Sequence, residues 1–405
     1  MRVLVLCTTY SLSRGHSWLV DSLAEHLALK HDVVVVFLDW SGKIEAPFEV
    51  ERAGVRVHVF PVQSKYYKGK LGKMLKWFYA ARAIKAPVKK ILSEQQFDLV
   101  LNFSPALIMD PLRKMLSARI ARSYLVLWDF FPIYHHQLGL VPGPLAAPLR
   151  AIENGAYNHY DTIGVMSPRN LEFLKENYRL ASKTAAEVLY LWGPDAVFQR
   201  TVERYRQVRA QHDIGESLVC VFGGQLIRGR GIAKVIELAL VAKQNAIDAK
   251  FYIFGDGPER QHILDDLVSH GVEDRVLYMG FRPRDEYIEF LMGADVGLVF
   301  NSGDVGVPTF PSKAIDFFRA AVPVLAYVED ATDFGAILED EIGAGWSASP
   351  SNKALLVEHF KAVAQAPRET LFSVGRAGQE WYAKHMTVST ISEQILRSVS
   401  PSRVQ

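Results

Sequence analysis

Leu218-Val219-Cys220-Val221-Phe222-Gly223-Gly224-Gln225-Leu226-Ile227-Arg228-Gly229-Arg230-Gly231 decides how the second half of the chain is read. The opening run is apolar and rich in β-formers, which predicts a buried strand. The glycines after it predict a turn, and Val235, Leu238, Ala239 and Ala242 at helical spacing predict a helix. Strand, glycine-rich turn and helix together aim backbone N–H groups at an anion, and Arg228 and Arg230 add forked cationic donors. A flexible basic surface turn is the plainer reading of the same residues.

Toward the C-terminus the unit recurs. Residues 251–254 predict a strand, Gly255-Asp256-Gly257-Pro258 its turn, and 259–270 a helix. Strands at 275–279, ending before Gly280, and at 296–300 follow, with a helix at 285–292 between them and a loop at 301–311. A helix opening at Pro311 or Ser312 is expected to run through Ala321, with Lys313 and Asp316 on one face. A surface ion pair would place those two residues in the same way. Residues 322–327 predict another buried strand, and 373–399 are helical.

Toward the N-terminus, 200–217 reads as a linker and entry helix, and Leu191-Trp192-Gly193-Pro194-Asp195 as a boundary. Before it, apolar runs at 3–6, 33–37, 55–59, 99–103, 124–128, 162–165 and 188–191 alternate with helical patterns. That alternation predicts a parallel sheet flanked by helices. The loop 11–16, with Gly15, lies at a strand end and helix start, where ligands enter open α/β sheets, and an ordinary strand-to-helix turn reads the same way. Trp128-Asp129 places an acidic residue at another strand's carboxyl end. His135 and His136 are adjacent and point different ways, so surface or loop roles outweigh metal binding.

At 405 residues the chain exceeds the roughly 250–300 at which one core stops growing, so two domains are expected. The fold class is α/β: domains at 1–198 and 199–380, and a helix at 381–405 packing back on the first. A net charge of +2 argues against nucleic acid as a partner. Cys7 and Cys220 fall in apolar strand patterns and are expected to be reduced core residues of a cytoplasmic protein. The start is too short an apolar run for a signal peptide, and no run is long enough to cross a bilayer. Residues 65–90 carry nine lysines and arginines and no acidic residue, with Tyr66, Tyr67, Trp77, Phe78 and Tyr79 among them. Three readings stand for this stretch. It could lie on an anionic membrane, at about 1 kcal/mol per nearby cation; it could be a solvated helix with its aromatics turned to the core; or its lysines could hold an acidic or phosphorylated acceptor.

In order along the chain, Gly224-Gln225-Leu226 to Arg230-Gly231, Gly255-Asp256-Gly257-Pro258, Arg275 to Phe281, Ala294-Asp295-Val296, and Pro311-Ser312-Lys313 through Asp316 to Val322-Pro323-Val324 resemble glycosyltransferase family 4. That family has the GT-B fold, two Rossmann-like domains facing each other across a cleft. The Pro-Ser-Lys form resembles the branch that builds bacterial surface polysaccharides. The likeness covers roughly residues 1 to 385 and is looser in the first half.

The resemblance implies a retaining glycosyltransferase acting from a nucleotide-sugar donor on a glycan or polyprenol-linked acceptor, in the cytoplasm or on the inner membrane face. It implies that Arg230 stands in for the family's phosphate-binding Lys, and that Gln225 stands where many members carry Arg. The turn Gly280-Phe281-Arg282 resembles the one that holds the nucleobase. Asp316 occupies the position of the second Glu of the Glu-x7-Glu motif. Where the first Glu belongs the chain has Pro308, and Asp304 is the nearby carboxylate that could replace it.

Lys313, Arg230 and Asp129 are thus the expected catalytic residues. Gly15, Gly224, Gln225, Gly255, Gly257, Phe281, Arg282, Ser312 and Asp316 join Lys313 and Arg230 around the donor. Sugar transfer builds negative charge on the departing phosphate, so cations aimed there stabilise the transition state. No Asp-x-Asp cluster stands out, and a cofactor-free, metal-independent reaction is expected. The departures at Pro308 and Gln225 also fit a weak or inactive GT-B subunit that binds nucleotide or a partner enzyme.

Overall fold

The computed structural model describes residues 1–12, 19–62, 69–227, 229–301 and 305–399. The chain divides into two compact units: Met1–Gly193 together with the C-terminal stretch from Val388, and Pro194–Thr387. The boundary therefore falls at Gly193, not 198, and the return to the first unit at Val388, not 381. Local bonds explain both shifts. Trp192 is buried and donates its indole N–H to Leu19 O at 2.8 Å, which keeps the chain in the first unit. Tyr382 donates to Pro194 O at 2.6 Å, which keeps the long helix Arg368–His385 in the second.

The first unit is one eight-stranded sheet, β1 (Arg2–Cys7), β2 (Asp32–Asp39), β3 (Phe48–Arg52), β4 (Val55–Pro61), β5 (Phe97–Phe103), β6 (Ile120–Leu127), β7 (Thr162–Val165) and β8 (Ala185–Val188). Its order is β3-β4-β2-β1-β5-β6-β7-β8, and the pairs are parallel except β3 with β4. Val3–Cys7 and Val33–Leu38 are buried on both faces, as a helix-covered parallel sheet requires. β8 lies at 185–188, ahead of the expected 188–191, because Ala185 to Val188 pair with Thr162 to Val165 before the chain leaves the sheet. Helix Val388–Val399 packs against helix Leu19–Ala28 and β6, closing the first unit.

Only part of 65–90 falls among the described residues. Helix Gly69–Ala83 turns Ala80 and Ala81 into the core, and Trp77 packs edge-on against Phe131 at 4.9 Å between ring centroids. Phe78 also packs on that core, whereas Tyr79 is 55% exposed. Two of the aromatic residues are thus anchors within the unit. His135 and His136 lie on the short helix Ile133–Gln137 and are engaged separately. The His135 ring meets Trp77 and Phe131, and His136 Nδ1 lies 2.8 Å from Val141 O.

The second unit has six parallel strands, β9 (Leu218–Gly223), β10 (Ala249–Phe254), β11 (Val276–Gly280), β12 (Val296–Phe300), β13 (Val324–Tyr327) and β14 (Gly345–Ala348), in the order β11-β10-β9-β12-β13-β14. Cys220, Phe222, Phe251, Ile253, Leu298 and Phe300 pack with helices Ala233–Gln244 and Arg260–His270 on one face. On the other face Phe317, from helix Ala314–Arg319, lies where a side chain at Gly297 would stand, so only glycine admits the helix this close to β12. Cys7 and Cys220 are free and buried, and burial raises both thiols far from a reactive thiolate.

Candidate active site

Strand order in the second unit reverses between β9 and β12, and in an open α/β sheet ligands bind at the carboxyl ends beside such a reversal. Three turns leave the sheet there side by side. Gly224 N donates to Phe254 O at 3.0 Å, Gly255 N to Gly280 O at 2.9 Å, and Leu226 N to Asp256 O at 3.0 Å. A Cβ at Gly255 would lie 1.8 Å from Gly224 O, so a side chain at that position would break the first two turns apart. Gly224, Gln225, Gly255, Gly257 and the exposed Phe281 and Arg282 are accordingly gathered along one edge.

Lys313 stands at the seam itself. Its ammonium lies 4.1 Å from the centre of the Phe222 ring, at the end of β9, and donates to Phe300 O, at the end of β12, at 3.2 Å. The side chain lies along Gly224, where an added Cβ would come 3.1 Å from Lys313 Cε. Burial, and next the nearby Arg230 guanidinium, lower its pKa to about 7. A desolvated ammonium beside a second cation is a site that gains by receiving negative charge.

Asp316 does not pair with Lys313. Its Oδ1 accepts from Arg284 Nη2 at 2.6 Å and from Arg319 Nη1 at 3.4 Å, which fixes the carboxylate with capacity left for further donors. The helix carrying it runs only over Ala314–Arg319, shorter at both ends than expected. Ser312 and Lys313 precede it without a side-chain cap, and Ala321 has a left-handed φ of 51°. So short a helix adds little dipole at Ser312, and the electrostatic burden shifts to Lys313 and Arg230.

In the first unit Asp129 is exposed at the carboxyl edge of the sheet, just past β6, and its N–H donates to Ser104 Oγ at 3.2 Å. Gly15, Arg228 and Asp304 lie outside the described residues. Among the described residues, no group of three His, Cys, Asp or Glu side chains is placed to hold a metal ion.

Residues 218–366, which hold the three turns, Lys313 and Asp316, match the family described as Glycosyl transferases group 1. This part of the chain is a group 1 glycosyl transferase domain. Over 188 residues the chain is 27% identical to the probable glycosyltransferase WbjE of Pseudomonas aeruginosa, a match spanning 45% of each chain and so less than half of that relative. Among solved structures, Anabaena HepE in complex with UDP superposes with a TM-score of 0.72 at 17% identity, over 99% of this chain and 100% of that one. Sucrose-phosphate synthase of Thermosynechococcus elongatus gives 0.71 at 14%, over 98% and 97%. The chain as a whole has the GT-B fold.

Within the group 1 domain the structure brings Gly224, Gly255, Arg230 and Lys313 together, and it adds partners not singled out in the sequence. Arg284 and Arg319 hold Asp316. Glu329, which follows β13, is buried beside the segment leading to Lys313. Neither Arg284 nor Glu329 falls in a motif, and only the fold places them here.

Proposed function

We propose that the chain is a glycosyltransferase that moves a sugar from a nucleotide diphosphate, with retention at the anomeric carbon, to a lipid-linked or polysaccharide acceptor of a bacterial surface glycan. The observation that carries this reading is the Lys313 ammonium, desolvated at the β9–β12 seam beside Arg230. In the reaction an acceptor hydroxyl oxygen forms the new bond to the anomeric carbon, and its proton passes to the departing phosphate oxygen. The bond to the phosphate oxygen breaks, and the leaving diphosphate keeps the electron pair. Lys313 and Arg230 neutralise that charge, so no divalent metal is required. Gly224, Gly255 and the Gly280–Arg282 turn offer backbone and aromatic contacts to the nucleotide, and Asp316 accepts from its ribose.

UDP-sugars are the first donors to try, since HepE binds UDP on this fold. A thermal-shift screen against UDP, GDP, ADP, CMP and their common sugars tests the donor. One nucleotide series is expected to raise the midpoint, and its sugar to be transferred in the presence of EDTA. At a ligand concentration of 100 Kd the gain is about 2.7 kcal/mol. Binding without turnover of any donor, with acceptor present, would favour the inactive-subunit reading that Pro308 and Gln225 suggest.

The acceptor side of the proposal places the enzyme peripherally on the inner membrane face through residues 65–90. No described helix is long and apolar enough to cross a membrane. With Trp77 and Phe78 held by the core, the attraction among the described residues falls to the cations and Tyr79. Neutralising Lys65, Lys68, Lys70, Lys73 and Lys76 together is expected to abolish co-sedimentation with vesicles containing anionic lipid. Equal sedimentation of variant and wild type would refute the membrane contact.

A further inference from the structure

We propose that Glu329 is a positioning residue for sugar transfer, one that staples both ends of the segment between β12 and Lys313 and so sets the ammonium against the leaving group. This deepens the transferase reading and rests on it. Glu329 is 1% exposed. Its Oε2 accepts from Asn301 Nδ2 at 3.0 Å, and its Oε1 accepts from the Thr309 hydroxyl. Each partner is tied to the scaffold as well. Asn301 N donates to Tyr327 O at 2.8 Å, and Thr309 O accepts from the Thr332 hydroxyl.

Both routes by which Lys313 is placed pass through these two residues. Phe300, whose carbonyl receives the ammonium, immediately precedes Asn301. Thr309 lies just before Phe310, Pro311 and Ser312, which lead directly into Lys313. The glycine-rich turn bearing Arg230 rests on the same point, since a Cβ at Gly231 would stand 2.7 Å from Asn301 O. A carboxylate buried this deeply is costly unless its oxygens are occupied, and here one oxygen is spent on each end of the segment. Being buried, it reaches no substrate directly. Its effect travels through where Lys313 sits. The hydrogen bonds of Glu329 go to Asn301 and Thr309, whereas the turns after β10 and β11 hang on the other side of the sheet's order.

The test compares Glu329→Ala, Glu329→Gln and wild type, using UDP as the binding probe and the donor that wild type turns over. A misplacement of about 1 Å can cost about 100-fold in rate, so Glu329→Ala is expected to lower kcat by roughly 10- to 100-fold while affinity for UDP, which the nucleotide-side turns also hold, falls by a clearly smaller factor. Glu329→Gln keeps an acceptor for Asn301 and offers its amide to Thr309, and it is expected to retain most of the wild-type kcat. An unchanged kcat in Glu329→Ala overturns the proposal. So does a parallel loss of UDP affinity, which would make Glu329 a general support of the fold. Equal damage in Glu329→Gln also overturns it, because the charge itself would then be the active element. A wild type that binds UDP but transfers no sugar tells against the transferase reading, and that result is obtained before any variant is compared.

Discussion

Lys313→Ala is expected to lower kcat about 10²- to 10³-fold, roughly 3–4 kcal/mol, the usual cost of removing one preorganised donor from a developing oxyanion. The loss should come without unfolding. The folded-state pKa of Lys313, about 7, lies below its ordinary 10.5. Its contribution to stability is therefore intact above about 10.5 and is lost progressively as pH falls from there to about 7, below which the fold carries a desolvated charge. Removing the amine should leave the melting midpoint unchanged at high pH and raise it progressively as pH falls below about 10, with the full gain reached by about pH 7. The same shift ties nucleotide binding to protons. A bound diphosphate pulls the pKa back up, so at pH 8 wild type is expected to take up close to one proton with UDP, and affinity to fall as pH rises above 7. Calorimetry in two buffers of different ionisation heat measures the uptake, which Lys313→Ala should lose. Arginine is a poor substitute, because a planar guanidinium does not reproduce the compact ammonium that Phe300 O accepts. If Lys313→Ala turned over at the wild-type rate, the leaving-group assignment would fall.

Lys313 was legible in the sequence because it sits in a short motif at a helix start; what holds it was not. The apolar runs that became β1, β2, β9, β10 and β12 could be read directly, since a strand buried on both faces has little polar alternation to disguise it. Phe48-Glu49-Val50-Glu51-Arg52 shows no buried apolar run, because β3 is an edge strand, exposed along most of its length and paired only with β4. Gly345-Trp346-Ser347-Ala348, at the other sheet's edge, shows none either. The site's supports share a different obstacle. Arg284 reaches Asp316 from 32 residues away, and Glu329 reaches Asn301 from 28. No periodicity links residues so far apart, and Glu329 next to the exposed Asp330 reads as ordinary loop polarity. Motif residues announce the chemistry, whereas their supports become visible only once strand order is known.

Asp295 belongs to a motif yet serves the fold, and its replacement is expected to be strongly destabilising. It lies within Ala294-Asp295-Val296, one of the segments carrying the family likeness, yet it sits at the amino end of β12, while Lys313 bonds the carboxyl end of that strand at Phe300. Five residues at about 3.3 Å each separate the two ends. The carboxylate is 1% exposed and accepts from Val219 N at 2.7 Å, Tyr205 OH at 2.8 Å, and Arg209 Nη1 and Arg368 Nη1 at 3.1 Å each. It thereby joins helices Val202–Gln211 and Arg368–His385 to the start of β9. Asp295→Ala would strand two guanidiniums and a phenol around an empty site, at about 3–5 kcal/mol. That is a large share of the roughly 5–15 kcal/mol that holds a typical domain together, and it should lower the midpoint by roughly 10 °C or more. Asp295→Asn keeps the volume but removes the charge that both arginines face, so it should be nearly as damaging. Below the transition the surviving folded fraction should still bind UDP with unchanged affinity, because the turns and Lys313 hang on the opposite ends of the strands. Thermal unfolding followed by near-ultraviolet circular dichroism, paired with UDP titration in the cold, separates the two effects. A midpoint within 2 °C of wild type would mean that solvent reaches the arginines and that the buried network carries far less than its bonds suggest.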